Sequence, residues 1–257
     1  MSLTKIILNH AAPVPRIESF QSYLFIGPHP DDIEIGAGAT VAALAEMGKR
    51  ISFVICTDGR FGTEHAPEGM TPRELIEIRK QEAIASARIL GVDDVTFLGF
   101  SDGGFYKQSD LIAALAGVIG EKKPDIIFAP DPSVSSECHI DHLNAGLAAK
   151  QLAFFAPFEA IMKQYGADAA PVNAAAFYMT AKPNRFMRSG PYLSRQHDAI
   201  FNCHKSQFPE GCADISSISL YLKLRSVDFG IRSFKGRAEG FRVLGRTHMH
   251  CLPEAGM

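Results

Sequence analysis

Along the first 150 residues, short apolar runs alternate with stretches whose apolar positions recur every three to four residues. Tyr23 to Gly27, Ile51 to Cys56 and Ile126 to Ala129 are mostly apolar, and Val95 to Leu98 is a less apolar run of the same kind. Such runs lack the polar alternation of a half-exposed strand and suit strands buried on both faces of a parallel sheet. Between them, Gly38 to Met47 is rich in Ala and stops at Gly48, a residue suited to a helix C-cap. Thr71-Pro72-Arg73-Glu74 reads as a capping box with Pro at the first helical position, opening a helix that runs to Leu90 and closes at Gly91. Ser109 or Asp110 is expected to cap a helix reaching Lys122, stopped before Pro124. Repeated β-α-β units imply right-handed crossovers and a sheet covered by helices.

The last hundred residues are less regular. Ala174 to Thr180 reads as a strand, and Ser194 to His204 and Ile218 to Val227 read as helices, with loops at Pro183, Gly190-Pro191, Pro209 and Gly211. No internal repeat, low-complexity tract or linker interrupts the chain. The expected fold class is α/β: a Rossmann-like three-layer α/β/α arrangement with a mostly parallel sheet and an elaborated C-terminal portion, in one domain spanning 1–257.

Composition narrows the classes. The 257 residues are 46% hydrophobic and 21% charged, which excludes a disordered, collagen-like or coiled-coil chain. The 26 basic and 28 acidic residues leave a net charge of −2, with no bulk electrostatic attraction to nucleic acid or an anionic membrane. Five cysteines, odd in number and without a C-x-x-C pair, argue against a disulfide framework and for a reducing, cytoplasmic setting. Met1 to Leu8 is too short an apolar run for a secretory signal, and no 18 apolar residues run together. The nine histidines are the unusual feature, and their placement carries the chemistry.

In an open parallel sheet, ligands bind outside the carboxyl ends of the strands. His29-Pro30-Asp31-Asp32 and Glu34 follow the first expected strand, and Asp58-Gly59-Arg60 the second. Asp102-Gly103-Gly104 follows Val95 to Leu98, and Asp131 with His139-Ile140-Asp141-His142 follows Ile126 to Ala129. Two His/Asp clusters far apart in sequence thus fall at one sheet edge. His29 and Asp32 lie three apart where strand becomes loop or helix, so a turn there can point both inward, and His139 and His142 are spaced to share one face of a helix start. A catalytic zinc takes three protein ligands and keeps one position open. The surplus can supply a general base and a partner for a ligating histidine. The plainer alternative is that Asp31, Asp32 or Asp141 simply caps a helix. A dinucleotide site at Gly36-Ala37-Gly38 fits poorly, because Val41 stands where the fingerprint needs Gly or Ala and carboxylates would face the pyrophosphate.

His29-Pro30-Asp31-Asp32 with Glu34 and Gly36-Ala37-Gly38, followed far downstream by His139-Ile140-Asp141-His142, resembles the LmbE-like (PIG-L) family of zinc-dependent de-N-acetylases. Thr57-Asp58-Gly59, Arg79 with Glu82, Leu98 to Gly103, His204-Lys205-Ser206-Gln207 and Ala238-Glu239-Gly240-Phe241 agree with it. The resemblance implies a hydrolase that removes the acetyl group from an N-acetylated amino sugar of the GlcNAc type. It implies one Zn2+ per chain, or another divalent metal, held by His29, Asp32 and His142. Asp31 is then the general base for the attack of the zinc-bound water on the amide, a protonated His139 steadies the oxyanion, and Asp141 holds one histidine in its tautomer. Arg79 and Asp102 match substrate-contacting positions. The family often has a Tyr shortly before its second His motif, and here Val134 to Cys138 stands instead.

His65 lies in a loop at the same edge and is expected to line the pocket. His204 is expected to close or brace the site. His248, His250 and Cys251 mimic ligand spacing but read as a tail, and the basic run from Lys223 to Arg237 as a solvated face. A metal-dependent phosphoesterase and a non-catalytic carbohydrate-binding module on the same scaffold are the alternative functions, the first weakened because ligands for one metal are present rather than two. The expected partner is a small amino-sugar substrate, with no nucleic acid and no membrane, and with a homo-oligomer suggested by apolar stretches in the C-terminal half.

Overall fold

Successive side chains of a strand leave for opposite faces, and in β1 (Ser22–Gly27) every position is buried. Tyr23 and Phe25 enter one core with α1 (Asp32–Glu46) and α2 (Pro72–Leu90). Leu24 and Ile26 enter the other with α3 (Gln108–Lys122) and α4 (Ile140–Phe155). This double burial is why the strand reads as an unbroken apolar run, and it makes three layers, helices on both faces of a sheet. The structure, a computed structural model, describes residues 10–250.

Parallel pairs join β1 to β2 (Arg50–Thr57) and to β4 (Ile126–Pro130), β2 to β3 (Asp94–Phe100), and β4 to β5 (Ala174–Tyr178). Two further strands, β6 (Arg185–Arg188) and β7 (Ala238–Gly245), complete a seven-stranded sheet of order β3-β2-β1-β4-β5-β7-β6. β7 runs antiparallel to both neighbours. The short helices α5 (Glu159–Met162) and α6 (Leu193–Asp198) and the long α7 (Ala213–Ser233) belong to the C-terminal half. The α/β class and the elaborated C-terminal portion are therefore as the sequence implies.

Several boundaries differ from the sequence reading. α1 starts at Asp32, six residues before Gly38, because Asp32 and Glu34 in its first turn suit the positive end of the helix. Gly36 and Gly38 belong to that helix. A Cβ on Gly36 would lie 2.2 Å from the Tyr178 ring, and one on Gly38 would lie 2.9 Å from Gln196, so both glycines serve close packing. α3 begins at Gln108 behind Lys107, without a side-chain cap from Ser109 or Asp110. The capping box at Thr71 and Glu74 and the left-handed Gly91 form as expected. Ser194 to His204 becomes α6 and one π-helical turn at Ala199–Cys203. Neither β6 nor β7 was expected, since Glu239, Gly240 and Arg242 interrupt the apolar pattern of β7.

Arg242 explains part of that interruption. From β7 it forms a bidentate pair with Asp131 at the end of β4, Nε to Oδ2 at 2.9 Å and Nη2 to Oδ1 at 2.6 Å. Thr180 adds a hydroxyl donor at 2.5 Å. Asp131, a candidate by position alone, thus ties β7 to the end of β4 across the intervening β5. Cys251 lies outside the described residues. No helix among the described residues is long and apolar enough to cross a membrane.

Because both partners are buried, Arg242→Ala would strand the Asp131 charge, at a cost of about 3–5 kcal/mol. The double variant Asp131→Leu/Arg242→Leu should recover most of that loss. Urea unfolding of the three proteins checks this, and equal losses in the single and double variants would contradict it.

Candidate active site

The chain steps outward from β1 to β2 and β3, then returns to lay β4 on the other side of β1. Strand order reverses between β1 and β4, and their carboxyl ends open a crevice at this switch point. The turn after β1 supplies His29 to Asp32, and the start of α4, the helix after β4, supplies His139 to His142. The two sequence clusters meet here.

Asp32 is the joint between them. Its Oδ2 accepts from the His29 backbone N–H at 2.8 Å and lies 3.1 Å from His29 Nδ1. Its Oδ1 is 3.3 Å from His142 Nε2. Burial opposes its charge, but His142 and His29 outweigh that and hold the carboxyl well below the ordinary carboxylate range. The far nitrogens of both imidazoles meet carboxylates: His29 Nε2 lies 3.1 Å from Asp141 Oδ2, and His142 Nδ1 lies 3.1 Å from Glu137 Oε2. Although burial disfavours the imidazolium, Asp141 and Asp32 raise His29 to about 10. His29, Asp32 and His142 each bring a donor atom within 4.8 Å of the others. A second such set, His29, His139 and Asp141, shares His29 with the first.

Asp141 does not cap its helix; it is buried and serves as an anchor. It accepts from the backbone N–H groups of Gly103 at 2.6 Å and Gly104 at 2.9 Å, and from the Tyr106 hydroxyl at 2.9 Å. Gly103 and Gly104 have φ of 81° and 77°, which aims two successive N–H groups at one carboxylate, and a Cβ on Gly104 would lie 2.8 Å from Ile140. Burial works against the charge, yet these donors and His29 bring Asp141 down to about 2.

Asp31 faces the cleft from the N-cap position of α1 without capping it, at φ 128°. A non-glycine residue there is strained, and it persists because its surroundings fix it. Arg79 of α2 provides that restraint. Its Nη2 donates to Pro30 O at 2.9 Å and to Asp31 Oδ2 at 3.3 Å, and its Nη1 donates to Gly59 O at 3.0 Å. Burial, reinforced by Asp32 and opposed by Arg79, pushes the Asp31 carboxyl up to about 6.

His139 is 48% exposed and caps α4, its Nδ1 accepting from the Asp141 N–H at 3.3 Å. That bond leaves the ring proton on Nε2. Burial and the facing His29 and His142 lower its pKa. Asp102 accepts from the Phe61 N–H through both oxygens, at 3.3 and 3.2 Å. A cleft of about 280 Å³ is lined by His29, Asp31, Arg79, Asp102 and His139, with Phe61 and Gln207 in its wall. His65 is not among its lining residues; its Nε2 lies 3.5 Å from Cys212 Sγ. His204 is fully buried behind the site, 3.6 Å from Glu34.

Sequence reasoning missed two groups. Glu137 also accepts from the His139 N–H at 2.8 Å, so one carboxylate orders both histidines of α4. It stands in the segment that lacks the family's Tyr, and its signal was a carboxylate just before a His-x-x-His pair. Tyr106 could be found only through the fold, since the Gly103-Gly104 turn brings it back to Asp141.

The sequence profile described as GlcNAc-PI de-N-acetylase, PIG-L, matches residues 24–153. The diacetylchitobiose deacetylase of Thermococcus kodakarensis is 32% identical over 235 residues, covering 90% of this chain and 86% of that one. The crystal structure of N,N'-diacetylchitobiose deacetylase from Pyrococcus horikoshii with an inhibitor superposes with a TM-score of 0.87 at 28% identity, over 98% of this chain and 97% of that one. GalB, a 4-carboxy-2-hydroxymuconate hydratase from Pseudomonas putida, shares the fold with a TM-score of 0.73 at 20% identity, over 87% of this chain and 96% of that one. A profile spanning half of the chain, a relative matched along nearly its full length and a common fold agree: the chain belongs to the PIG-L de-N-acetylase family.

Proposed function

We propose that this protein is a metal-dependent N-deacetylase that hydrolyses the acetamide of a GlcNAc-type amino sugar, with N,N'-diacetylchitobiose the first substrate to test. The convergence of the His29, Asp32 and His142 donor atoms beside Asp31 carries this reading. The donor set fits a catalytic zinc, because two imidazoles and one carboxylate leave a coordination position free. Each imidazole also has a carboxylate on its other nitrogen, the arrangement that orients histidine ligands. The two possible donor sets share His29, which suits one ion rather than the pair a two-metal phosphoesterase needs. When bound, the ion supplies a Lewis acid for the acetyl carbonyl and lowers the pKa of water from 15.7 to about 7.

The chain's own residues supply the remaining steps. Asp31, held by Arg79 and open to the cleft, takes a proton from the attacking water and returns it to the departing amine. His139 donates its Nε2 hydrogen to the tetrahedral oxyanion, and removing one such donor typically costs about 3–4 kcal/mol. Asp141 acts on His29 rather than on His139, whose Nδ1 lies 3.7 Å from its nearer oxygen, and so fixes the tautomer of a ligand. Arg79 works mainly as a positioning residue, since its guanidinium is occupied by Asp31 and two carbonyls. Asp102 shapes the cleft through the Phe61 backbone, and Phe61, 56% exposed, offers a flat apolar face to a sugar ring. This catalytic set also distinguishes the reading from a carbohydrate-binding module, which has no use for a strained base.

Asp31→Asn is expected to keep its cleft metal and lose 10²–10⁴-fold in kcat, whereas His142→Ala is expected to lose the cleft metal. Metal content measured beside free-amine release separates the two, and near-native turnover by Asp31→Asn would remove Asp31 as the base. Glu137→Gln should weaken metal affinity about 10–100-fold while kcat at saturating metal stays near the parent value. Unchanged affinity in a chelator competition would exclude Glu137 from ordering His142.

A further inference from the structure

Outside the cleft, the loop after β2 meets the start of α7. His65 comes from the loop, and Cys212 and Asp214 come from the first turn of the helix. Their donor atoms lie close together: His65 Nε2 to Cys212 Sγ at 3.5 Å, Cys212 Sγ to Asp214 Oδ2 at 3.5 Å, and His65 Nε2 to Asp214 Oδ2 at 3.9 Å. No residue of this group belongs to the donor sets in the cleft.

These distances can be compared with those a metal imposes. Tetrahedral zinc holds sulfur at about 2.3 Å, imidazole nitrogen at about 2.0–2.1 Å and carboxylate oxygen at about 2.0–2.2 Å. Those bond lengths place the three donors about 3.6, 3.6 and 3.4 Å from one another. Two of the three observed separations therefore already match, and the third closes with a shift of about half an ångström. Helix capping accounts for part of the geometry, because the Asp214 N–H donates to Cys212 Sγ at 3.4 Å. A cap requires no imidazole, yet His65 reaches the same sulfur across 147 residues of sequence. Thiol, imidazole and carboxylate together make the ligand chemistry of zinc rather than of magnesium or calcium.

We propose that His65, Cys212 and Asp214 form a second metal site, taking a zinc-class divalent cation with its fourth position open to solvent. On binding, the Cys212 thiol gives its proton to solvent, His65 binds as neutral imidazole, and thiolate and carboxylate together neutralise the ion. His65 is 25% exposed and Asp214 55%, so the ion exchanges freely with solution. The loop it fastens carries Phe61 and Gly62, and Gln207 already holds Gly62 O at 2.9 Å. Occupied, the site clips that wall of the cleft to α7.

Cobalt titration of the full-length protein tests the proposal, because only a sulfur ligand gives thiolate-to-cobalt charge-transfer absorption and the cleft set contains no sulfur. The parent protein and Cys138→Ser should show the band, and Cys212→Ser should lose it. His65→Ala, altered in a loop outside the core, should bind cobalt at least tenfold more weakly. Serine keeps the helix cap, so Cys212→Ser should retain the parent's far-ultraviolet circular dichroism while binding one fewer zinc per chain in equilibrium dialysis. Absence of the band in the parent, or a band and zinc count unchanged in both Cys212→Ser and His65→Ala, would overturn the site.

Discussion

A carboxylate withdrawn from water must be surrounded by donors or give up its charge, and Asp141 meets that condition with groups from two other parts of the chain. Two N–H groups come from the Gly103-Gly104 turn, one hydroxyl from Tyr106, and an imidazole from His29 at the opposite wall of the crevice. So satisfied, the carboxylate stays ionised and fixes His29, and His29 and His142 in turn flank Asp32. The turn after β1, the turn after β3 and the start of α4 are thereby held in register at one point. Removing that charge would leave two glycine N–H groups and a tyrosine hydroxyl pointing at nothing, with a histidine free to turn.

Strain and electrostatics act together beside this anchor. Asp31 occupies a backbone conformation that costs about 1–3 kcal/mol, and the Arg79 guanidinium holds it there from α2. The arrangement presents a half-buried carboxylate to the cleft next to a fully engaged one. Two adjacent aspartates therefore differ sharply, Asp32 ionised among histidines and Asp31 pushed up to about 6. Divergent environments of this kind are how neighbouring carboxylates divide ligand and base roles. A hydratase on the same fold shows that the scaffold alone does not decide the reaction, so the residues at the β1–β4 crevice must.

Much of this was legible in the sequence because its signals are local. Apolar runs marked β1, β2 and β4, and the Thr71 capping box marked α2. His-x-x-Asp and His-x-x-His after two such strands marked the crevice. What escaped was non-local. β7 breaks its apolar pattern with Arg242, which makes sense only beside Asp131, 111 residues away. Asp131 looked like a site residue by its place after a strand, and the fold spends it on that pair. Arg79 reads as a substrate contact from its family position, yet its donors turn inward to Asp31. His65 shares the loop of Phe61 but turns to Cys212, a partner that no spacing rule could supply.

If one metal ion held at His29, Asp32 and His142 enables hydrolysis of an N-acetyl group, turnover must follow the occupancy of that cleft. The most direct measurement is free-amine release from N,N'-diacetylchitobiose by chelator-dialysed protein, followed during stepwise return of zinc. The metal-free protein is expected to release nothing, with recovery at the first equivalent bound in the cleft. Undiminished release by verified metal-free protein would contradict it.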